Sequence, residues 1–381
     1  MKDTIYVLGG AQTRFGELWE QSLTDLVQDV VDAAIRSTGI LPTDIDTIVI
    51  GNMLGGEASG QGHLGAYAGS LLPHRPPALR VEAACASGGV AMHTATALLE
   101  SGRAGTVLVI GAEKLTDLGA DDVTQAIMHA GDAEKDGRVG LTFPGIFALT
   151  AAAYMHRYGL TREELSLVSE HTHKMAVGNP YAQFQKEIPA EMISKSTPVA
   201  DPLRLLDCSP ITDGAAAVLL STQKESNVRL AASALATEHL SLADRASLTS
   251  FESTKAAMQR ALREARWSRE DIDYLELHDC FSIASIIHVE DMGFAEEGRG
   301  IDLFKKKEVD ENGMYPINLS GGLKACGHPV GATGVKQILD CYKQLTNQAP
   351  RKVSNARRAL AHNLGGVGAT CTIHLLEATN H

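Results

Sequence analysis

The chain repeats itself. Asp44-Ile45-Asp46 leads into Thr47-Ile48-Val49-Ile50-Gly51-Asn52, and much later Asp271-Ile272-Asp273 leads into Tyr274-Leu275-Glu276-Leu277-His278-Asp279. A helical run precedes each copy, Leu26 to Thr38 in the first and Thr254 to Arg266 in the second. Farther on, each half carries a loop of small residues, a long helical pattern and a strand-like run, Val107-Leu108-Val109-Ile110 or Ala359-Leu360-Ala361. Two copies of a β-α-β-α-β unit imply a duplicated α/β fold. The 381 residues suffice for two or three domains or for one large layered unit.

The repeat is interrupted between Glu113 and about Leu206. That stretch mixes turn signals (Gly131-Asp132, Asp136-Gly137, Phe143-Pro144-Gly145) with helical pieces such as Arg162 to Met175, and apolar residues persist throughout. It reads as an insertion into the first half rather than a linker. The first half resumes in the buried-strand run Asp213-Gly214-Ala215-Ala216-Ala217-Val218-Leu219-Leu220, and residues 223–229 join the halves. The expected division is 1–113 with 207–228 for the first half, 114–206 for the insertion and 229–381 for the second half.

Residues that carry chemistry collect at four places. Cys85 lies in Val81-Glu82-Ala83-Ala84-Cys85-Ala86-Ser87-Gly88-Gly89, and a helical pattern (Val90, Ala91, Ala95, Leu98, Leu99) follows at once. A thiol at a helix N-terminus feels the positive end of the macrodipole and unpaired N–H groups, and both favour thiolate. His328 lies in the segment Asn318 to Gly334, among five glycines and ahead of a second helical pattern (Val335, Ile338, Leu339, Tyr342, Leu345). Such glycines let the backbone pass close to a ligand. Leu277-His278-Asp279-Cys280-Phe281 ends one strand-like run, and His362-Asn363-Leu364-Gly365-Gly366-Val367-Gly368 joins two others. Any one cluster is more often a tight turn, a packed cysteine or a satisfied core histidine. Four in one chain point to a site.

With these motifs the chain resembles the thiolase family over nearly its whole length. Thiolases carry four catalytic loops, and the first matches at Cys85-Ala86-Ser87-Gly88 and the third at Gly327-His328-Pro329. The second reads His278-Asp279-Cys280-Phe281, the variant of sterol-carrier-protein-2-type thiolases. The fourth departs, because His362-Asn363-Leu364 stands where Cys-x-Gly is expected. The resemblance implies duplicated βαβαβαββ halves in five layers (αβαβα), with the insertion as a loop domain over coenzyme A and the acyl tail. It implies reversible Claisen condensation and thiolysis through an acyl-enzyme on Cys85. His328 would activate the nucleophile, His278 would orient a water or donate to the thioester oxygen, and Cys280 would move the α-proton, with His362 as its rival. Backbone N–H groups of Cys85, Leu364, Gly365 and Gly366 would hold the oxyanion, and Ser320, Gly321, Phe281 and Pro329 would line the substrate site. Coenzyme A is then a substrate, and no further cofactor is implied. The resemblance also implies a dimer or tetramer with residues 81–92 near the interface. Leu141-Thr142-Phe143-Pro144-Gly145 resembles thiolases that pair with a small zinc-ribbon/OB-fold protein.

Composition trims the alternatives. A net charge of −12 argues against nucleic acid and anionic membranes as partners. Coenzyme A is itself a polyanion, so its site needs local cations or helix N-termini, and Arg138, Lys195, Arg204 and Lys324 are the candidates. No secretory signal precedes Ile5-Tyr6-Val7-Leu8, and no apolar run reaches the roughly 18 residues of a membrane span. Six scattered cysteines fit reduced thiols in a cytoplasm. Cys208, Cys341 and Cys371 read as core packing, while Cys326 beside the Gly-His-Pro loop gets no role. The spacing of Cys280, His278 and Cys326 is not that of a structural zinc site, so no metal is expected. Two other functions compete: an acyltransferase with a non-CoA acceptor or inside a multiprotein complex, and a carbon–carbon lyase or lipid-binding relative on the same fold. Relatives of the last kind tend to lack the nucleophilic cysteine, so Cys85 argues against them.

Overall fold

The first half is built from β1 (Tyr6–Gln12), α1 (Leu23–Thr38), β2 (Thr47–Gly51), β3 (Ala78–Val81), α2 (Ser87–Glu100) and β4 (Thr106–Glu113), in a computed structural model that describes residues 3–379. Helices α3 (Ala120–Met128), α4 (Phe143–Tyr158) and α5 (Arg162–Ala176) intervene before the chain returns as β5 (Gly214–Ser221). The second half runs β6 (Val228–Thr237), α6 (Glu252–Ala265), β7 (Tyr274–Glu276), α7 (Ser282–Asp291), α8 (Gly322–Cys326), α9 (Val330–Leu345), β8 (Arg358–Gly365) and β9 (Thr370–Ala378). Local signals set these elements. In α1, Ser22 and Asp25 form a capping box, Gly39 ends the helix at φ 67°, and Leu23, Leu26, Val27, Val30, Val31 and Ala34 are buried. Each large apolar side chain buried this way contributes about 1.5–3 kcal/mol. Strands β4 and β5 are buried along their whole length, as expected for strands covered on both faces.

The strands form one nine-stranded sheet in the order β3-β2-β4-β5-β1-β6-β9-β8-β7. Counted from its two outer edges, the order repeats. The first half reads β3-β2-β4-β5-β1, and the second reads β7-β8-β9-β6, with Ile317 bridging Leu275 in parallel at the place of a fifth strand. The seam between halves is thin: Tyr6 pairs with Arg229, and the Leu230 N–H donates to the Ile5 carbonyl at 2.9 Å.

Helix α1 covers one outer face against β1, β4 and β5, and α6 covers the other against β6 and β9. Between the halves lie α2 and α9. The former packs on β2 and β4 of its own half and on β6 and β9 of the other, while α9 packs on β4, β5 and β8. This is the five-layered thiolase arrangement. Met92, Ala95 and Leu99 of α2 share one buried cluster with Val335, Ile338 and Leu339 of α9. At their N-terminal ends the two helices touch through backbone alone. A Cβ on Gly88 would meet the Gly331 oxygen at 2.8 Å, and one on Gly334 would meet the Gly89 nitrogen at 2.2 Å. Among the described residues no helix is long and apolar enough to cross a membrane.

Adding one methyl group at this contact must push the helices apart. Gly334→Ala is therefore expected to destabilise the protein by about 1–3 kcal/mol or more. Thermal melting followed by circular dichroism checks this, and an unchanged midpoint would contradict the close contact.

Candidate active site

Cys85 follows β3 on a tight turn. Ala84 sits at φ 52°, an uncommon left-handed conformation for a residue with a Cβ. The Ser87 hydroxyl fixes this turn by accepting from the Ala83 N–H (2.9 Å) and donating to the Ala84 carbonyl (2.6 Å). The expected helix begins two residues later, at Ser87. The sulfur is buried, and the backbone N–H groups of Cys85 and Gly366 reach it.

The thiolate expectation is overturned. Burial pushes the Cys85 thiol up to about 12, and the nearby Glu113 and Glu82 carboxylates add to the rise. The backbone N–H groups of Gly366 and Cys85 pull it down by less than the loss of water pushes it up. At rest Cys85 is a thiol.

His328 lies between α8 and α9, held by its own N–H donating to the Thr212 hydroxyl at 3.1 Å. Its Nδ1 is 2.7 Å from the Thr333 hydroxyl, which spends its single proton on the Pro329 carbonyl at 3.1 Å. With that proton committed to Pro329, the Thr333 hydroxyl accepts from Nδ1–H, and Nε2 is left as a bare acceptor. Among the described residues this buried Nε2 has no partner. Burial lowers the ring's pKa to about 4, so it is neutral. The Cys85 sulfur and ring nitrogens of His278 and His328 all lie within 4.8 Å of one another, and the two imidazoles meet edge to face.

A cavity of about 180 Å³ opens over the sulfur. Cys85, Cys280, Phe281, His328 and Gly366 line it, with Leu115, Val123 and Ile127 of the intervening segment and Phe143 and Phe147 of α4. Phe147 stacks on Phe281 with ring centres 4.4 Å apart. Burial and the adjacent Cys85 raise the Cys280 thiol well above its ordinary range. Cys208 also lines the cavity and is half-buried, so it is more than the packing residue the sequence suggests.

Other sequence candidates fall beside or beneath this cavity. His362 is fully buried with both ring nitrogens engaged: Nδ1 accepts from the His278 backbone N–H at 3.3 Å, and Nε2 is 3.2 Å from the Thr254 hydroxyl. Ser320 donates to Glu276 and accepts from Lys336, both buried, and Gly321 at φ 103° packs against Ala176. These contacts make both supports for the loop rather than parts of the cavity wall. Pro329 starts the turn into α9, and its carbonyl holds Thr333. Leu364 is buried in β8, while a Cβ on Gly365 would meet the Ala83 oxygen at 2.4 Å, so the fourth loop presses on the nucleophile loop. Lys324 is no free cation for coenzyme A: it is buried in an ion pair with Asp279 at 2.9 Å. Lys195 is exposed and pairs with Glu191, Arg138 is exposed, and Arg204 is half-buried.

Two residues escaped the sequence reading. Asn363 bonds at once to the Cys85 carbonyl, to Gly89 and to the His278 ring. Glu113, at the end of β4, accepts from the Asn52 side chain and from the backbone N–H groups of Met53, Leu54 and Gly331. Asn363 did stand inside a marked cluster. Glu113 carried no signal beyond its place at the end of a strand.

The resting thiol gives a pH test. Only thiolate is alkylated readily, and a thiol raised to about 12 gains thiolate as pH rises. Iodoacetamide labelling of Cys85 should climb about tenfold per pH unit from 6 to 9 with no plateau. A resting thiolate–imidazolium pair would instead give a flat rate across that range.

The family model for the thiolase N-terminal domain matches residues 5–224, and the thiolase C-terminal domain-like model matches residues 234–378. The acetyl-CoA acetyltransferase of Methanothermobacter thermautotrophicus is 42% identical over 385 residues, covering 99% of this chain and 100% of that protein. Sterol carrier protein 2 of Gallus gallus is 31% identical, over 97% of this chain and 71% of its own length. The solved Ltp2-ChsH2(DUF35) aldolase shares the fold, with a TM-score of 0.84 over 98% of both chains at 21% identity.

Proposed function

The chain belongs to the thiolase family, and from that premise we propose that Cys85, His328, His278 and Cys280 together run its acyl exchange. The protein is an acyltransferase in which acyl-CoA and acetyl-CoA give 3-ketoacyl-CoA and CoA, reversibly. One observation carries the assignment of roles: a buried thiol and two imidazoles bring their reactive atoms within 4.8 Å of one another, where Cys85 and His328 line an apolar cavity.

In the first step the Cys85 sulfur attacks the thioester carbon while its proton passes to His328 Nε2. The carbonyl oxygen gains negative charge, and N–H donors facing it contribute about 3–4 kcal/mol each in comparable sites. Collapse expels the CoA sulfur, which takes the proton from His328, and the acyl group stays on Cys85. In condensation Cys280 passes its proton to the His328 ring, freed when CoA left, and as thiolate removes a proton from the methyl of acetyl-CoA. The resulting carbon nucleophile attacks the acyl-enzyme, and Cys85 leaves as thiolate and takes the proton from His328. Thiolysis runs the same steps backwards, with Cys280 protonating the leaving carbon. Its raised pKa keeps Cys280 protonated at rest, which suits this acid role. Coenzyme A enters as substrate, and no step calls on another cofactor.

Finer features extend this reading. The small apolar cavity favours short acyl groups. The half-buried edge strand β3 suits pairing with a second copy, giving a dimer or dimer of dimers. A small zinc-ribbon/OB-fold partner fits the 141–145 segment, beside the exposed Val139 and Leu149. Six free cysteines suit a reducing cytoplasm, and acyl-CoA chemistry suits lipid metabolism.

Intact mass spectrometry after exposure to acetyl-CoA should show one added acetyl group, absent from Cys85→Ala. Labelling at Cys280 or Cys326 would overturn the nucleophile. Cys280→Ala should still acetylate at Cys85 yet lose condensation and hydrogen–deuterium exchange at the acetyl methyl by about 10²–10⁴-fold. His362→Ala should keep that exchange, and the opposite pattern would move the acid/base role to His362. Light scattering at micromolar concentration should give a dimer or larger.

A further inference from the structure

Asn363 touches three parts of the site, and its amide can sit only one way round. Its Oδ1 lies 3.0 Å from the Gly89 N–H, which can only donate. Its Nδ2 lies 3.0 Å from the Cys85 carbonyl, which can only accept. Main-chain groups thus fix the amide orientation without reference to any side chain. The second Nδ2 proton faces His278 Nδ1 at 3.0 Å. Nδ1 is therefore an acceptor, and the neutral His278 ring carries its proton on Nε2.

We infer that Asn363 is a positioning residue which sets the tautomer of His278, making that ring an N–H donor to the thioester oxygen while His328 serves as the base. The two histidines are prepared in opposite senses. Thr333 accepts a hydrogen bond from Nδ1–H of His328 and leaves Nε2 bare, whereas Asn363 donates one to Nδ1 of His278 and leaves Nε2–H. Neighbours on β8 divide the task by strand alternation: His362 holds the His278 backbone N–H, and Asn363 sets its ring. The inference rests on the acyl-transfer reading above and adds a group that reading does not use.

The groups that face His278 are His328 from the loop before α9, His362 from β8, His288 from α7 and the Cys85 thiol, with the Cys280 thiol lining the cavity beside Cys85. Burial lowers all three histidines and raises both thiols. Glu113, which raises Cys85 and is itself pushed up to about 7, titrates in the same way in variant and wild type, so the ratio of their rates isolates a substitution that restores titration to His278.

Asn363→Asp is such a substitution. A carboxylate keeps the shape but cannot donate to Nδ1, so the ring takes a proton there. The neutral ring then has a bare Nε2, and only the imidazolium regains the Nε2–H donor. Single-turnover acetylation of Cys85 should fall about 10²–10³-fold at pH 8 with the KM for acetyl-CoA unchanged. The ratio of variant to wild-type rate should then rise as pH falls toward 6. A ratio flat with pH means that Asn363 only packs the loop, and overturns the inference. Should the aspartate variant fail to fold, Asn363→Ala is compared in the wild-type and His278→Ala backgrounds. A large loss in the first and little further loss in the second supports action through His278, and equal losses overturn it. The wild-type control keeps the two readings apart. A wild type that takes no acetyl group on Cys85 defeats the proposed reaction, whereas an acetylated wild type with a flat ratio defeats only the role of Asn363.

Discussion

Two helices in backbone contact hold this site together. Cys85 sits just before α2 and His328 just before α9, so the distance between nucleophile and base is set by how closely those N-termini approach. Side chains at Gly88 or Gly334 would collide with the opposing backbone. The buried carboxylate of Glu113 secures the arrangement from β4. It binds the Gly331 N–H at the start of α9 at 3.1 Å together with the loop after β2, a favourable place for negative charge. Burial nonetheless pushes Glu113 up to about 7, so desolvation outweighs the N–H groups around it.

The same burial decides the electrostatics of catalysis. An ion pair between Cys85 and His328 would have to form inside a site already stripped of water, and burial drives their proton affinities apart, to about 12 and about 4. The site therefore waits as a neutral thiol and a neutral imidazole, and charge appears only when a thioester oxygen is there to share it. Buried ion pairs lie one layer below. Asp279 pairs with Lys324 at 2.9 Å, and Lys336 meets Asp340 at 2.7 Å and Glu276 at 3.5 Å. These pairs anchor the segments that carry His278 and Cys280 and the helix behind His328, and they stay out of the cavity.

The duplicated architecture and the four loops were legible because each is contiguous in the chain. A repeat of patterned segments survives without knowledge of packing, and Cys85, His328 and Cys280 announce themselves by residue type among small neighbours. What could not be read was register. Along β8, His362 draws attention as a histidine, yet strand alternation turns Asn363 toward Cys85 and His362 toward Thr254. Lys324 looks like a free cation in a glycine loop, but its partner Asp279 lies 45 residues earlier. The thiolate expectation failed for a similar reason: helix position is local and readable, whereas the depth of burial depends on the inserted helices and on the other half.

Duplication explains the geometry of the site and also shows where the halves had to diverge. In each half, one side chain near the end of a central strand accepts an N–H from the middle helix of the other half. Glu113 of β4 takes the Gly331 N–H of α9, and Asn363 of β8 takes the Gly89 N–H of α2. Each also grips the segment after the second strand of its own half, Asn52 to Leu54 in one case and His278 in the other. The chemistry of those second partners fixes the residue type. Around Glu113 they are the Asn52 amide and the Met53 and Leu54 N–H groups, all donors, so a carboxylate satisfies them. Around Asn363 they are the Cys85 carbonyl and His278 Nδ1, both acceptors, so the cap must donate as well as accept. An amide accepts on its oxygen and donates two protons from its nitrogen, and so the half that supplies the histidines is capped by asparagine where its twin is capped by glutamate.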